Sequence, residues 1–99
     1  MLKIKNNWNY KGSDRWDWEI FIDDQGTGEL NQIDFVEYIL HPTFRNPIRK
    51  SLDRESGFKI KTNGWGTFPI KVIINKLSGD KLSFAHDLVL KYDPKQGTT

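Results

Sequence analysis

Cysteine is absent from the chain, so neither a disulfide framework nor a thiolate metal site can be built, and the fold rests on packing alone. Long apolar runs are missing as well. No stretch approaches the roughly 20 residues that cross a bilayer, and the opening MLKIKNNWNY lacks the apolar core of a signal peptide. Both absences point to a cytoplasmic protein. Metal ligands are scarce: there are two histidines, and Asp23-Asp24-Gln25-Gly26 lacks the spaced acids and final glutamate of a calcium loop. No metal and no cofactor are expected. Charge of one sign is lacking too, since 15 bases face 13 acids for a net charge of +2, a weak signal for nucleic acid. Residues 1–40 hold four bases against eight acids and residues 41–99 eleven against five. Strands of a sandwich interleave in space, so this split reads as surface patterning.

Aromatic area is what the chain has in quantity. Four Trp, six Phe and three Tyr in 99 residues can fill a small core or line a groove. The length suits one domain. Period-two alternation recurs throughout and sustained helical spacing is missing, which makes the chain all-β. Trp16, Trp18, Ile20 and Ile22 share a face with Asp17 and Glu19 opposite. Val36, Tyr38 and Leu40 form a second set, Phe58 and Ile60 a third, and Phe68, Ile70, Val72 and Ile74 a fourth. Leu82, Phe84, Leu88 and Leu90 form another, with His86 in phase. Turn signals separate these runs at Asp23–Gly28, Thr62-Asn63-Gly64 and Leu77-Ser78-Gly79-Asp80. Short strands at such intervals suggest an antiparallel sandwich or barrel of about 7 to 8 strands. Pro42 and Pro47 make His41 to Ser56 a long loop or irregular edge. Residues 93–99 read as a flexible C-terminal tail, which leaves residues 1–92 as the domain.

Two loops carry aromatic residues where polar turn residues are expected: LHPTF, ending at Phe44, and NGWGTF, ending at Phe68. The first places an imidazole, a hydroxyl and a ring at a strand end. In the second, Gly64 and Gly66 flank Trp65, which would allow positive φ and a close approach of backbone to a ligand. Paired rings with a hydroxyl between them suit a flat, neutral amide. The rings stack on its faces, the Thr43 hydroxyl and N–H groups near Gly66 pair with its polar atoms, and an unmodified ammonium entering the same slot would be desolvated without a carboxylate partner.

The order of these segments resembles a YEATS domain. RWDWEIFI is followed by L-x-x-I-x-x-V-x-Y-x-L running into HPTF, then GWGTF and an alternating strand, then HDLVL, over roughly residues 15 to 92. The wording of the two loops is most similar to the prokaryotic branch. The resemblance implies an immunoglobulin-like antiparallel β-sandwich whose loops at one end bind acetyl-, crotonyl- or longer acyl-lysine in an aromatic pocket. It further implies that His41 is the pocket histidine, that Thr43 hydrogen-bonds the acyl amide, and that Phe44 and Trp65 are the sandwiching rings. Gly66 and Thr67 would form the neighbouring wall, with Trp16 a further candidate ring. The expected partner is an acylated-lysine peptide or protein.

Catalysis is not expected. His86 and Asp87 are adjacent on a strand and so point to opposite faces, and His41 with Thr43 lacks an orienting acid and an oxyanion site. Arg45, Arg49, Lys50 and Arg54 form a basic loop that is either a solvated face or a means of steering an acidic partner, phosphate backbone included. The competing function is a protein-interaction or sensor module of a larger prokaryotic protein that pairs through a sandwich edge strand and has no pocket.

Overall fold

The computed structural model describes residues 2–99. Its eight strands are β1 (Lys3–Gly12), β2 (Arg15–Asp23), β3 (Ile33–Ile39), β4 (Ile48–Ser51), β5 (Ile60–Gly64), β6 (Pro69–Lys76), β7 (Lys81–Asp87) and β8 (Gln96–Thr98), with two short 3-10 turns at Glu29–Gln32 and Arg54–Ser56. They form two four-stranded sheets, β5-β2-β1-β8 and β4-β3-β6-β7. Every pairing is antiparallel. The all-β sandwich expected from the alternation is the observed fold.

Side-chain period fixes which residues meet between the sheets. Trp16, Trp18, Ile20 and Ile22 of β2 are buried while Asp17 is exposed. Across the interior, Val36 and Tyr38 of β3 and Ile70, Val72 and Ile74 of β6 complete the core with Phe58. The phenol of fully buried Tyr38 donates to the Phe58 carbonyl at 2.7 Å, and burial raises its pKa well above the usual phenol value.

The β1–β2 hairpin turns on Ser13 and Asp14, both with positive φ, the backbone handedness that matches strand twist in tight hairpins. At Gly57 (φ +78°) an added Cβ would lie 2.5 Å from the Ile22 carbonyl oxygen. Gly57→Ala is therefore expected to lose at least about 1–2 kcal/mol through the left-handed backbone alone, read as a lower urea midpoint. An unchanged midpoint would contradict this close approach.

Three expectations are corrected. Residues 93–99 do not form a simple coil: Gln96–Thr98 pair with β1, Trp8 opposite Gly97, and the Trp8 indole N–H donates to the Pro94 carbonyl at 3.1 Å. Thr62-Asn63-Gly64 is no turn but the end of β5, paired with Trp18, Asp17 and Trp16. The reversal comes one step later, over Trp65 to Phe68. In the last apolar set, strand β7 stops at Asp87, and Phe84, on the open edge of the sheet, is 39% exposed. The His41–Ser56 segment does contain an edge strand, since β4 lies outside β3.

Candidate functional site

The β3–β4 and β5–β6 connections meet at the end of the sandwich where β2 begins. Between them lies an open groove of about 400 Å³ whose walls include His41, Thr43 and Phe44 from one connection and Trp65, Gly66 and Thr67 from the other. These are six of the seven residues singled out from the sequence. The seventh, Trp16, does not join them. It is 4% exposed, packs against Tyr10 and Tyr92 with ring centroids 4.9 Å from each, and donates its indole N–H to the Lys91 carbonyl at 2.9 Å. Alternation along β2 sends it inward, so Trp16 belongs to the core.

The groove floor is aromatic. Phe44 and Phe68 lie with centroids 5.3 Å apart at 53°. Trp18 stands nearly edge-on to each, at 6.3 and 6.1 Å, and His41 meets Phe68 at 5.9 Å. Such tilted contacts add about 0.5–1.5 kcal/mol each beyond area burial, so the floor is held in place before any ligand arrives. Trp65 is different: 71% of its surface is exposed. Neither Gly64 nor Gly66 has positive φ, against the expectation. A Cβ on Gly64 would touch the Phe44 ring tip and Trp18 Nε1, both at 3.7 Å. That indole N–H is buried and has no hydrogen-bond partner among the described residues.

Polar groups at the groove have defined roles. His41 Nδ1 lies 2.9 Å from the Thr43 hydroxyl and receives the Thr43 backbone N–H at 3.3 Å. A backbone N–H can only donate, so Nδ1 is the acceptor of a neutral ring whose proton sits on Nε2. The Thr43 hydroxyl then shares the Nδ1 lone pair as a second donor, which leaves its oxygen able to accept. The Phe44 N–H is used locally, donating to the His41 carbonyl at 3.0 Å. In the facing loop, the N–H groups of Trp65, Gly66 and Thr67 make no hydrogen bond among the described residues.

Phe68, Arg15, Arg45, Asn63 and Gly64 complete the lining. Phe68 shares its phase with Ile70 and was not among the residues named for the site, and its position as the last letter of GWGTF was the available signal. A larger concavity, about 790 Å³, lies over Asn7, Asn9, Asp17, Glu19, Lys61 and Gln96 on the outer face of the first sheet. Trp8 and Trp18 are in its lining too, but both rings are buried in the core, so it offers no exposed aromatic cage. No cluster of three or more metal-ligating side chains occurs among the described residues, and no helix there is long and apolar enough to cross a membrane.

Structure and groove together define an immunoglobulin-like β-sandwich with an aromatic slot between the loops of one end. A family model described as the prokaryotic YEATS domain matches residues 16–89, and the chain belongs to that family. Among curated proteins it is similar to transcription initiation factor TFIID subunit 14 of Schizosaccharomyces pombe, 50% identical over 42 residues. That match covers 42% of this chain and 17% of the relative, so the chain spans about a sixth of that protein. Among solved structures it is similar to the Yaf9 YEATS domain bound to H3K27ac, with a TM-score of 0.79 at 23% identity, covering 100% of this chain and 79% of that one. The yeast AF-9 homolog protein Yaf9 gives 0.77 at 22%, covering 100% and 74%. At these identities the structural likeness speaks for the fold.

Proposed function

We propose that this domain is a non-catalytic module that binds an acylated lysine side chain in the groove between the His41–Phe44 and Gly64–Phe68 segments. The observation that carries this reading is an open slot of about 400 Å³ with an aromatic floor and no acidic side chain in its lining. A volume of this order suits a small organic group. Phe44 and Phe68 offer faces to a planar amide and its acyl tail, with exposed Trp65 as the opposing wall. The Thr43 oxygen accepts the amide N–H, and the unused N–H groups of residues 65–67 donate to the acyl carbonyl. An unmodified lysine would carry its ammonium into a slot without a carboxylate, where desolvation is uncompensated. The relatives support the same reading, since the Yaf9 YEATS domain is described bound to H3K27ac and recognizing an H3K122suc peptide.

Calorimetric titration of acetyl- and crotonyl-lysine peptides against unmodified twins tests it. Modified peptides are expected to bind and unmodified ones to show no heat. Equal binding of both, or of neither at millimolar concentration, would overturn the reading. Within the site, Thr43→Ser is expected to retain affinity and Thr43→Val to lose about fivefold, the worth of one net hydrogen bond of about 1 kcal/mol. Equal affinities for the two variants would remove the hydroxyl from the mechanism. A module that met its partner through an edge strand would be indifferent to every one of these changes.

A further inference from the structure

The basic loop read from the sequence comes apart in the structure, because most of its charges are engaged in holding the fold. Arg54 donates to the carbonyls of Ile33 at 2.8 Å and Leu30 at 3.2 Å. Lys50 caps the Phe35 ring with its Nζ 4.2 Å from the centroid, and Arg49 donates to the Asn46 carbonyl. Arg45 alone of the four lines the groove. There it is joined by Arg15, brought in from the start of β2, whose neighbour Trp16 pairs with Gly64.

Several bases and acids on and beside the same β-sheet are paired. Lys5 meets Asp23 at 2.9 Å, Lys11 meets Asp17 at 3.6 Å, and Lys59 and Lys61 both reach Glu19 at 3.3 Å. Glu19 shows the effect: burial alone would raise its pKa, but hydrogen bonds from Asn7, Lys59 and Lys61 outweigh it and hold the carboxyl below its usual value. Arg15 and Arg45 are both exposed, and their guanidinium groups have no ion pair or hydrogen bond among the described residues. The groove therefore carries two unpaired guanidinium groups and no acid.

We infer that the partner is an acidic segment of protein, with aspartate or glutamate close to the modified lysine. Arg15 and Arg45 pair with those carboxylates and repel a basic flank of the kind a lysine- and arginine-rich tail presents. The inference rests on the acyl-lysine reading and adds the chemistry of the chain around the lysine. Charges at the rim of an interface act mainly on partner choice, association rate and salt dependence. An exposed pair shifts an equilibrium by about two- to fivefold, so two arginines that attract one flank and repel the other separate acidic from basic peptides by about tenfold. Exposure also makes the effect sensitive to salt, because the screening length falls from about 30 Å at 0.01 M to about 3 Å at 1 M.

The test uses acetyllysine peptides of one length with glutamate, serine or lysine at the flanking positions, titrated at low and high salt. Added to these are a serine-flanked succinyl-lysine peptide and a single-stranded oligonucleotide as competitor. The glutamate-flanked peptide is expected to bind about tenfold more tightly than the lysine-flanked one at low salt, with the gap closing at high salt. Paired Arg15→Gln and Arg45→Gln changes are expected to remove the preference, and Arg15→Glu with Arg45→Glu to invert it, which a general loss of folding cannot do. Equal or tighter binding of the lysine-flanked peptide overturns the inference while leaving acyl-lysine binding intact. So does an arginine-dependent gain confined to succinyl-lysine, which would place the recognised carboxylate on the acyl tail, or displacement by the oligonucleotide, which would assign the arginines to phosphate. Failure of every acetylated peptide to bind a folded protein overturns the acyl-lysine reading and this inference together.

Discussion

Trp65→Ala is expected to weaken binding of an acetyllysine peptide by more than about 30-fold while leaving the unfolding temperature nearly where it was. The two halves of this expectation come from one fact. With 71% of its surface exposed, Trp65 adds little to the core, and substitutions at such positions ordinarily change stability by about 0.5 kcal/mol or less. In the complex the same ring would cover the acyl amide from the side opposite Phe44 and Phe68. Truncating a central tryptophan anchor of an interface typically costs about 2 kcal/mol or more, and about 1.4 kcal/mol is a factor of ten. Titration and thermal unfolding of the same preparation check both halves. Retained affinity would show that the exposed indole is not part of the receptor, and a large fall in unfolding temperature would show that it is part of the core.

Asn6→Ala is expected to have the opposite profile, with a loss of about 3 kcal/mol of stability. Asn6 is fully buried, and its side-chain amide ties the chain beyond β7 to β1. Its Nδ2 donates to the Val89 carbonyl at 2.8 Å, while its Oδ1 accepts the Val89 N–H at 3.1 Å and His86 Nε2–H at 2.8 Å. Alanine would strand three groups at once, each costing about 1–3 kcal/mol when buried, less for the half-buried imidazole. Urea unfolding measures the loss. A change below about 1 kcal/mol would show that water replaces the amide freely.

His86 adds a pH dependence of definite sign. Burial lowers its pKa below the usual imidazole value, opposed in part by neighbouring Asp87. The unfolded chain therefore takes up a proton at higher pH than the folded one. The stability contributed by neutral His86 is complete above the ordinary imidazole pKa of about 6.5 and is lost as pH falls from there toward the depressed folded value. His86→Gln is expected to flatten the stability profile below about pH 6.5. A profile that keeps its slope would assign that slope to carboxylates.

Legibility of the fold followed how faithfully each strand keeps period two. β2 alternates throughout, β3 does so from Val36 onward, past a register shift between Ile33 and Phe35, and β6 from Ile70 to Ile74, and these runs were readable residue by residue. β1 was not singled out because its inward positions include Asn6, a polar residue whose burial makes sense only once Val89 and His86 are beside it. β8 is three residues of polar and small character, held by backbone pairing and by the Trp8 ring, neither of which leaves a local signature. Asn63-Gly64 reads as a turn by composition, yet both residues are paired in β5 opposite Asp17 and Trp16, a register that no local signal announces. The two loops of the groove were legible because aromatic residues stood where turn chemistry is polar. Trp16 misled for the reverse reason: its apparent freedom near a turn vanishes against Tyr10 and Tyr92, two residues distant in sequence from each other. Arg15 carried no signal, since its neighbours across the groove come from the far connections.

The central claim is that the gap between Trp65 and the Phe44–Phe68 floor is a receptor for an acyl-lysine side chain, and a crystal structure with an acetyllysine peptide tests it most directly. The account predicts the acetyl amide lying between those rings, its N–H on the Thr43 oxygen and its carbonyl on an N–H of residues 65–67. A peptide bound along a sheet edge, with Trp65 folded down onto Phe44 and the slot closed, would contradict it.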